Sequence, residues 1–121
     1  MTLFKRIAVV GSRAFKNYEQ LAKTLDEYIG PEDELVSGGA IGVDSMAQRW
    51  AKDHGHAIHI YYPRWENGRS AGFVRNKRIV ENSDLVLAFY STGNFAKGGT
   101  ANTAHWAREL NVKLIEFEEI E

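Results

Sequence analysis

Glu34-Leu35-Val36-Ser37-Gly38-Gly39-Ala40-Ile41-Gly42-Val43-Asp44 passes from an apolar run, through three glycines in five positions, into a helical pattern. Beyond it Met46, Ala47, Trp50, Ala51 and His54 keep i, i+3, i+4 spacing up to Gly55. That order predicts a buried strand, a tight turn and an amphipathic helix, closed by a glycine suited to the left-handed helix end. The turn glycines let backbone come close to a ligand and aim N–H groups at an anion.

The same unit recurs on both sides. Short apolar runs stand at Ile7-Ala8-Val9-Val10, Ala57-Ile58-His59-Ile60-Tyr61, Leu85-Val86-Leu87-Ala88-Phe89 and Val112-Lys113-Leu114-Ile115-Glu116-Phe117. Most are continuous rather than alternating, as in strands of a parallel sheet covered on both faces. Tyr18, Leu21, Ala22, Leu25 and Ile29 predict a helix opened by Asn17 as N-cap and closed by Gly30-Pro31; further helices are expected at about residues 71–82 and 100–110. Strands alternating with helices imply right-handed βαβ crossovers. The expectation is an α/β, Rossmann-like three-layer sandwich with a mainly parallel sheet of about five strands. Such sheets bind ligands beyond the carboxyl ends of their strands, where strand order reverses.

The 121 residues predict a single domain over residues 1–121, with 44% apolar and 26% charged residues typical of a soluble globular protein. Fifteen basic and sixteen acidic residues leave a net charge of −1, which argues against binding held by bulk charge to DNA or an anionic membrane. No cysteine is present, which excludes disulfides and thiolate chemistry. Met1-Thr2-Leu3-Phe4-Lys5-Arg6 runs into a strand-like segment and is unlike a signal peptide, and no apolar run reaches a membrane span. A cytoplasmic protein without a membrane partner is expected.

Four loops after strands carry the candidate site. Gly11, Ser12 and Arg13 follow the first strand, joining backbone N–H groups to a fixed guanidinium. This loop is neither GxGxxG nor a P-loop, so dinucleotide oxidoreductase and ATPase readings lose their usual support. Ser37, Gly38, Gly39, Ala40, Gly42 and Asp44 form the second loop; Asp44 can cap the helix or hydrogen-bond a ribose hydroxyl. The third loop brings together Arg64, Arg69 and Arg75, with Tyr62 and Trp65 able to stack on a base and Asn76 beside Arg75. Gly98, Gly99 and Thr100 open the fourth helix, Thr100 as N-cap or phosphate ligand. Glu66 and Asp44 are the catalytic candidates, without an obvious acid partner. His54, His56 and His59 are close in sequence, but His56 and His59 point to opposite faces of a strand, so no metal is expected. No cofactor is expected either.

Taken in order, Gly11-Ser12-Arg13-x-Phe15, Val36-Ser37-Gly38-Gly39-Ala40-x-Gly42-x-Asp44-x-x-Ala47-x-x-Trp50-Ala51, Trp65, Ala71-Gly72-x-x-Arg75-Asn76, Asp84-Leu85-Val86-x-Ala88-Phe89 and Gly98-Gly99-Thr100 resemble the small YspA/YpsA-related proteins of the SLOG superfamily. The resemblance spans about residues 7–115. It implies a Rossmann-like relative of the LOG phosphoribohydrolases and of the DprA single-stranded DNA-binding core, of bacterial or phage origin. It implies binding or sensing of a nucleotide or nucleotide-derived ligand, and a homodimer with the third loop or third helix near the interface. LOG enzymes carry Pro-Gly-Gly-x-Gly-Thr-x-x-Glu. Here Thr103 stands where that glutamate falls and no proline precedes the glycines. LOG-like N-glycosidase chemistry, the alternative, then needs Glu66 or Asp44 as substitute. The second alternative, DprA-like nucleic-acid binding, is disfavoured by the charge balance, since counterion release needs clustered cations.

Overall fold

The computed structural model describes residues 4–121; Met1, Thr2 and Leu3, part of the expected lead-in to the first strand, lie outside the described residues. The elements are β1 (Arg6–Gly11), α1 (Tyr18–Tyr28), β2 (Glu34–Ser37), α2 (Val43–His54), β3 (Ile58–Ile60), a 3-10 turn (Trp65–Asn67), α3 (Ala71–Glu81), β4 (Leu85–Tyr90), α4 (Gly98–Glu109) and β5 (Lys113–Glu118).

All five strands are parallel, in the order β3-β2-β1-β4-β5. Ile7 pairs with Leu35 on one side and Leu85 on the other, so the central strand is buried along its length. Its side chains alternate between layers. Ile7 and Val9 pack with Leu21, Leu25, Val43 and Trp50 under α1 and α2. Ala8 and Val10 pack with Ile79, Val80 and Ala107 under α3 and α4. Each fully buried Leu, Ile or Phe contributes about 1.5–3 kcal/mol of hydrophobic stabilisation.

Local chemistry explains the helix ends. The Asn17 side chain accepts from the Gln20 N–H at 3.0 Å and caps α1. Gly55 ends α2 in the left-handed conformation at φ 73°, where its N–H reaches the Ala51 carbonyl. α4 begins at Gly98, two residues earlier than expected, with extended Lys97 at the N-cap. Thr100 is therefore the third helical residue rather than the cap.

The clustered histidines belong to the scaffold. Trp50, 2% exposed, stacks on His54 at 4.2 Å and on His56 at 5.1 Å, and donates to Asp26 at 3.1 Å. His59 instead meets Glu34 at 2.8 Å and holds that carboxyl below its ordinary pKa. Among the described residues no three metal-capable side chains cluster, and no helix is long and apolar enough to cross a membrane.

The chain runs from β1 outward to β2 and β3, then crosses back through α3 to β4 on the other side of β1. The loops after β1 and β4 thus diverge and open a crevice at the sheet's carboxyl edge.

Candidate functional site

That crevice is a cavity of about 530 Å³, within the range of about 300–1,000 Å³ usual for small-molecule sites. Four segments wall it. Gly11–Ala14 come from β1, and Gly38, Ala40 and Asp44 from the β2 loop. Arg75 and Asn76 come from α3, and Asn94 and Lys97 to Thr100 from the approach to α4.

The β1 loop is stapled to the end of β4. Ser12 N–H donates to the Phe89 carbonyl at 2.9 Å, and its hydroxyl reaches Ser91 at 3.1 Å while accepting from the Ala14 N–H. Gly11 is needed for packing: a Cβ there would stand 2.4 Å from the Phe89 carbonyl oxygen and 2.5 Å from Val43 Cγ2. The loop projects Arg13 at the rim. Arg13 is exposed and makes no side-chain hydrogen bond or ion pair among the described residues.

In the β2 loop the Ala40 N–H donates to Asp44 Oδ2 at 3.0 Å. Asp44 lies inside α2, whose N-cap is Gly42, so its carboxylate closes the loop and does not cap the helix. It is 6% exposed. Burial raises its pKa, opposed by the Ala40 N–H and by the positive charges of Arg75 and Arg13. Ser37 lies fully buried beneath; its hydroxyl is near enough to favour the charged carboxylate, yet meets hydrogen-bond geometry with no partner.

Arg75 is half-buried and committed to the scaffold. Its Nη1 donates to the carbonyls of Gly38 at 2.6 Å and Tyr61 at 3.1 Å, and its Nε donates to Asn76 Oδ1 at 2.9 Å. Burial lowers its pKa, and Asp44 opposes that shift; a guanidinium stays charged regardless. Asn76 passes the connection on, its amide donating to Asn102 at 3.1 Å and to the Gly99 carbonyl at 3.4 Å. Arg75 and Asn76 thereby tie the ends of β2 and β3 to the start of α4. No side chain caps α4, which leaves its first-turn N–H groups for solvent or a ligand. The Tyr90 ring lines the same cavity, but its hydroxyl is spent on Glu116 at 2.6 Å, and burial raises its pKa.

The structure thus brings Gly11, Ser12, Arg13, Gly38, Ala40, Asp44, Arg75, Asn76, Gly98, Gly99 and Thr100 to one cavity. Ser37, Gly39, Gly42, Trp65 and Glu66 do not line it. Gly42 (φ +78°) packs against the Ser12 and Arg13 carbonyls, and Gly39 (φ +75°) against the Tyr62 ring. Trp65 is 60% exposed on the 3-10 turn, with Glu66 exposed beside it. Of the three arginines of the third loop only Arg75, carried on α3, lines this cavity; Arg64 meets it in a smaller cleft alongside, and Arg69 lines neither. Lys97 and Asn94 were missed; a cation directly before Gly98-Gly99 was the available signal for Lys97.

A model of the YspA, cpYpsA-related SLOG family matches residues 5–68, from the start of β1 through the 3-10 turn. Gene 61 protein of Mycobacterium phage D29 is 30% identical over 115 residues, 87% of each chain. DNA processing protein DprA of Streptococcus pneumoniae (strain ATCC BAA-255 / R6) is 35% identical over an alignment 104 positions long that covers 74% of this chain and 33% of that protein. Among solved structures, the X-ray structure of TM1055 superposes with a TM-score of 0.67 at 19% identity, covering 91% of this chain and 72% of that one. The X-ray structure of DprA from Streptococcus pneumoniae gives 0.55 at 18% identity, covering 93% of this chain and 58% of that one. These two likenesses carry the fold.

Proposed function

This chain belongs to the YspA, cpYpsA-related SLOG family, and from that membership we propose that it binds a nucleotide or nucleotide-derived ligand, phosphate first, in the cavity beyond β1, β2 and β4. The observation that carries the reading is Arg13: a cation on the cavity rim with no hydrogen-bond or ion-pair partner among the described residues, beside the uncapped start of α4 and Lys97. Fixed N–H donors and a guanidinium suit a phosphate's charge and acceptor oxygens. Asp44 repels an anion and suits the hydroxyls of a sugar, which favours the β2 side for the ribose of the proposed ligand.

Hydrolysis of the N-glycosidic bond gains no support. Glycoside hydrolysis ordinarily uses two carboxyl groups. Asp44 is the one carboxylate lining the cavity among the described residues, and Glu66 stands outside. In calorimetric titrations we expect a nucleoside 5′-monophosphate to bind at least about tenfold more tightly than its nucleoside, a difference of about 1.4 kcal/mol. Equal affinities would refute the phosphate site. Sedimentation of the same samples reads the homodimer expected above, which a lone monomer excludes.

Similarity to DprA favours a second reading, single-stranded nucleic acid. Each phosphate neutralised on a single strand contributes about 0.7 to the slope of log affinity against log salt. A 12-nucleotide dT strand is expected to show a slope of about 1.4 or less, as for one or two phosphates at Arg13 and Lys97. A slope of about 3 or more would carry the second reading instead.

A further inference from the structure

Beside the main cavity lies a cleft of about 80 Å³ between the third loop and α3, with Arg75 in the wall of both. At that size it is an annex, since independent ligand sites run to about 300 Å³ and more. Whatever fills it belongs to a molecule already held next door.

The walls define the chemistry. Tyr62 is 63% exposed, yet its position is fixed: a Cβ at Gly39 would stand 2.5 Å from Cε1 and 3.0 Å from Cδ1, so one ring edge is seated on the glycine loop. This gives the second glycine of Gly38-Gly39 a purpose that the main cavity does not. Val74, also exposed, adds an apolar surface from α3. The Arg78 guanidinium stands 5.3 Å over the Tyr61 ring, and Arg78 and Arg64 both line the cleft. Asn67 and Ser70 add an amide and a hydroxyl to the lining. A pre-seated aromatic ring, guanidinium planes and two neutral hydrogen-bonding groups suit a flat heteroaromatic ring, which stacks and is read at its rim.

We propose that this cleft is the nucleobase subsite of the ligand whose phosphate occupies the main cavity; the inference rests on the phosphate reading above. Tyr62 supplies the stacking face, and Asn67 and Ser70 discriminate among bases.

The test is calorimetric titration of ribose 5-phosphate and of AMP, GMP, CMP and UMP into the wild-type chain, Tyr62→Ala and Phe73→Ala. Phe73 is exposed on α3 outside the cleft and serves as control. The wild type is expected to prefer at least one monophosphate over ribose 5-phosphate. Tyr62→Ala should cut that monophosphate's affinity by about 5- to 150-fold and leave ribose 5-phosphate unchanged, while Phe73→Ala changes neither. Unchanged nucleotide affinity in Tyr62→Ala overturns the subsite, as does wild-type binding of ribose 5-phosphate as tight as that of every nucleotide; the phosphate site survives both outcomes. Binding of no probe overturns the phosphate reading and the cleft together.

Discussion

Arg13→Ala is expected to weaken binding of a nucleoside monophosphate by about 10- to 150-fold, the 1.5–3 kcal/mol typical of a charged hydrogen-bond donor, while the melting temperature holds. The two readouts separate because Arg13 is exposed and has no hydrogen-bond or ion-pair partner to lose among the described residues. Arg75→Ala behaves differently. It removes three donated hydrogen bonds, to Gly38, Tyr61 and Asn76. Half-buried acceptors left bare cost about 1–3 kcal/mol each when fully desolvated, less with water at hand. Arg75→Ala should therefore lose about 2–4 kcal/mol of stability along with affinity. Arg69→Ala, exposed and lining neither cavity, should change neither readout. Titration on each folded variant with parallel thermal melts decides the matter. Wild-type affinity in Arg13→Ala would remove the phosphate from the β1 loop.

This division between two arginines is not visible in the sequence, where both are cations in segments that lie between a strand and the next one. The fold was legible because its signals are local. Continuous apolar runs mark strands covered on both faces, Asn17 caps α1 through its own side chain, and Gly55 takes the positive φ that ends α2. The loops of the site were legible for the same reason. What each loop residue faces is a tertiary fact. Gly11, Gly38, Gly39 and Gly42 read like Gly99, but those four make room for chain (Val43 and Phe89, the Arg75 guanidinium, Tyr62, and the Ser12 and Arg13 carbonyls). Thr100 has the better N-cap chemistry, yet extended Lys97 takes that place and starts α4 early. Arg64, Arg69 and Arg75 are neighbours in sequence, but only Arg75 reaches the main cavity, Arg64 joins it in the smaller cleft, and Arg69 lines neither.

The glycines yield the largest stability effect and the sharpest control. Gly42 holds φ 78° and ψ −126°, a region closed to residues with a side chain, and a Cβ would lie 2.6 Å from the Ser12 and Arg13 carbonyl oxygens. Neither contact can relieve itself by rotating a side chain, because both are backbone. Backbone strain of about 1–3 kcal/mol and overpacking of similar size put Gly42→Ala at about 3–5 kcal/mol of lost stability. At about 4 °C per kcal/mol for a domain of this length, its melting temperature should fall by roughly 12–20 °C. Gly99→Ala inverts the outcome. A Cβ there meets no atom within 4 Å, its φ is not positive, and it sits in the first turn of α4. Alanine at a compatible helical position adds about 0.4–1 kcal/mol, so the fold should hold or gain slightly. The new methyl group stands at the cavity wall where a phosphate must approach the backbone, and losing one such hydrogen bond costs about tenfold or more in affinity. Thermal melts and nucleotide titration of the pair make the distinction. If Gly99→Ala bound monophosphates as the wild type does, the phosphate would make no contact with the Gly99 backbone, and the side chains of Arg13 and Lys97 would remain to hold it.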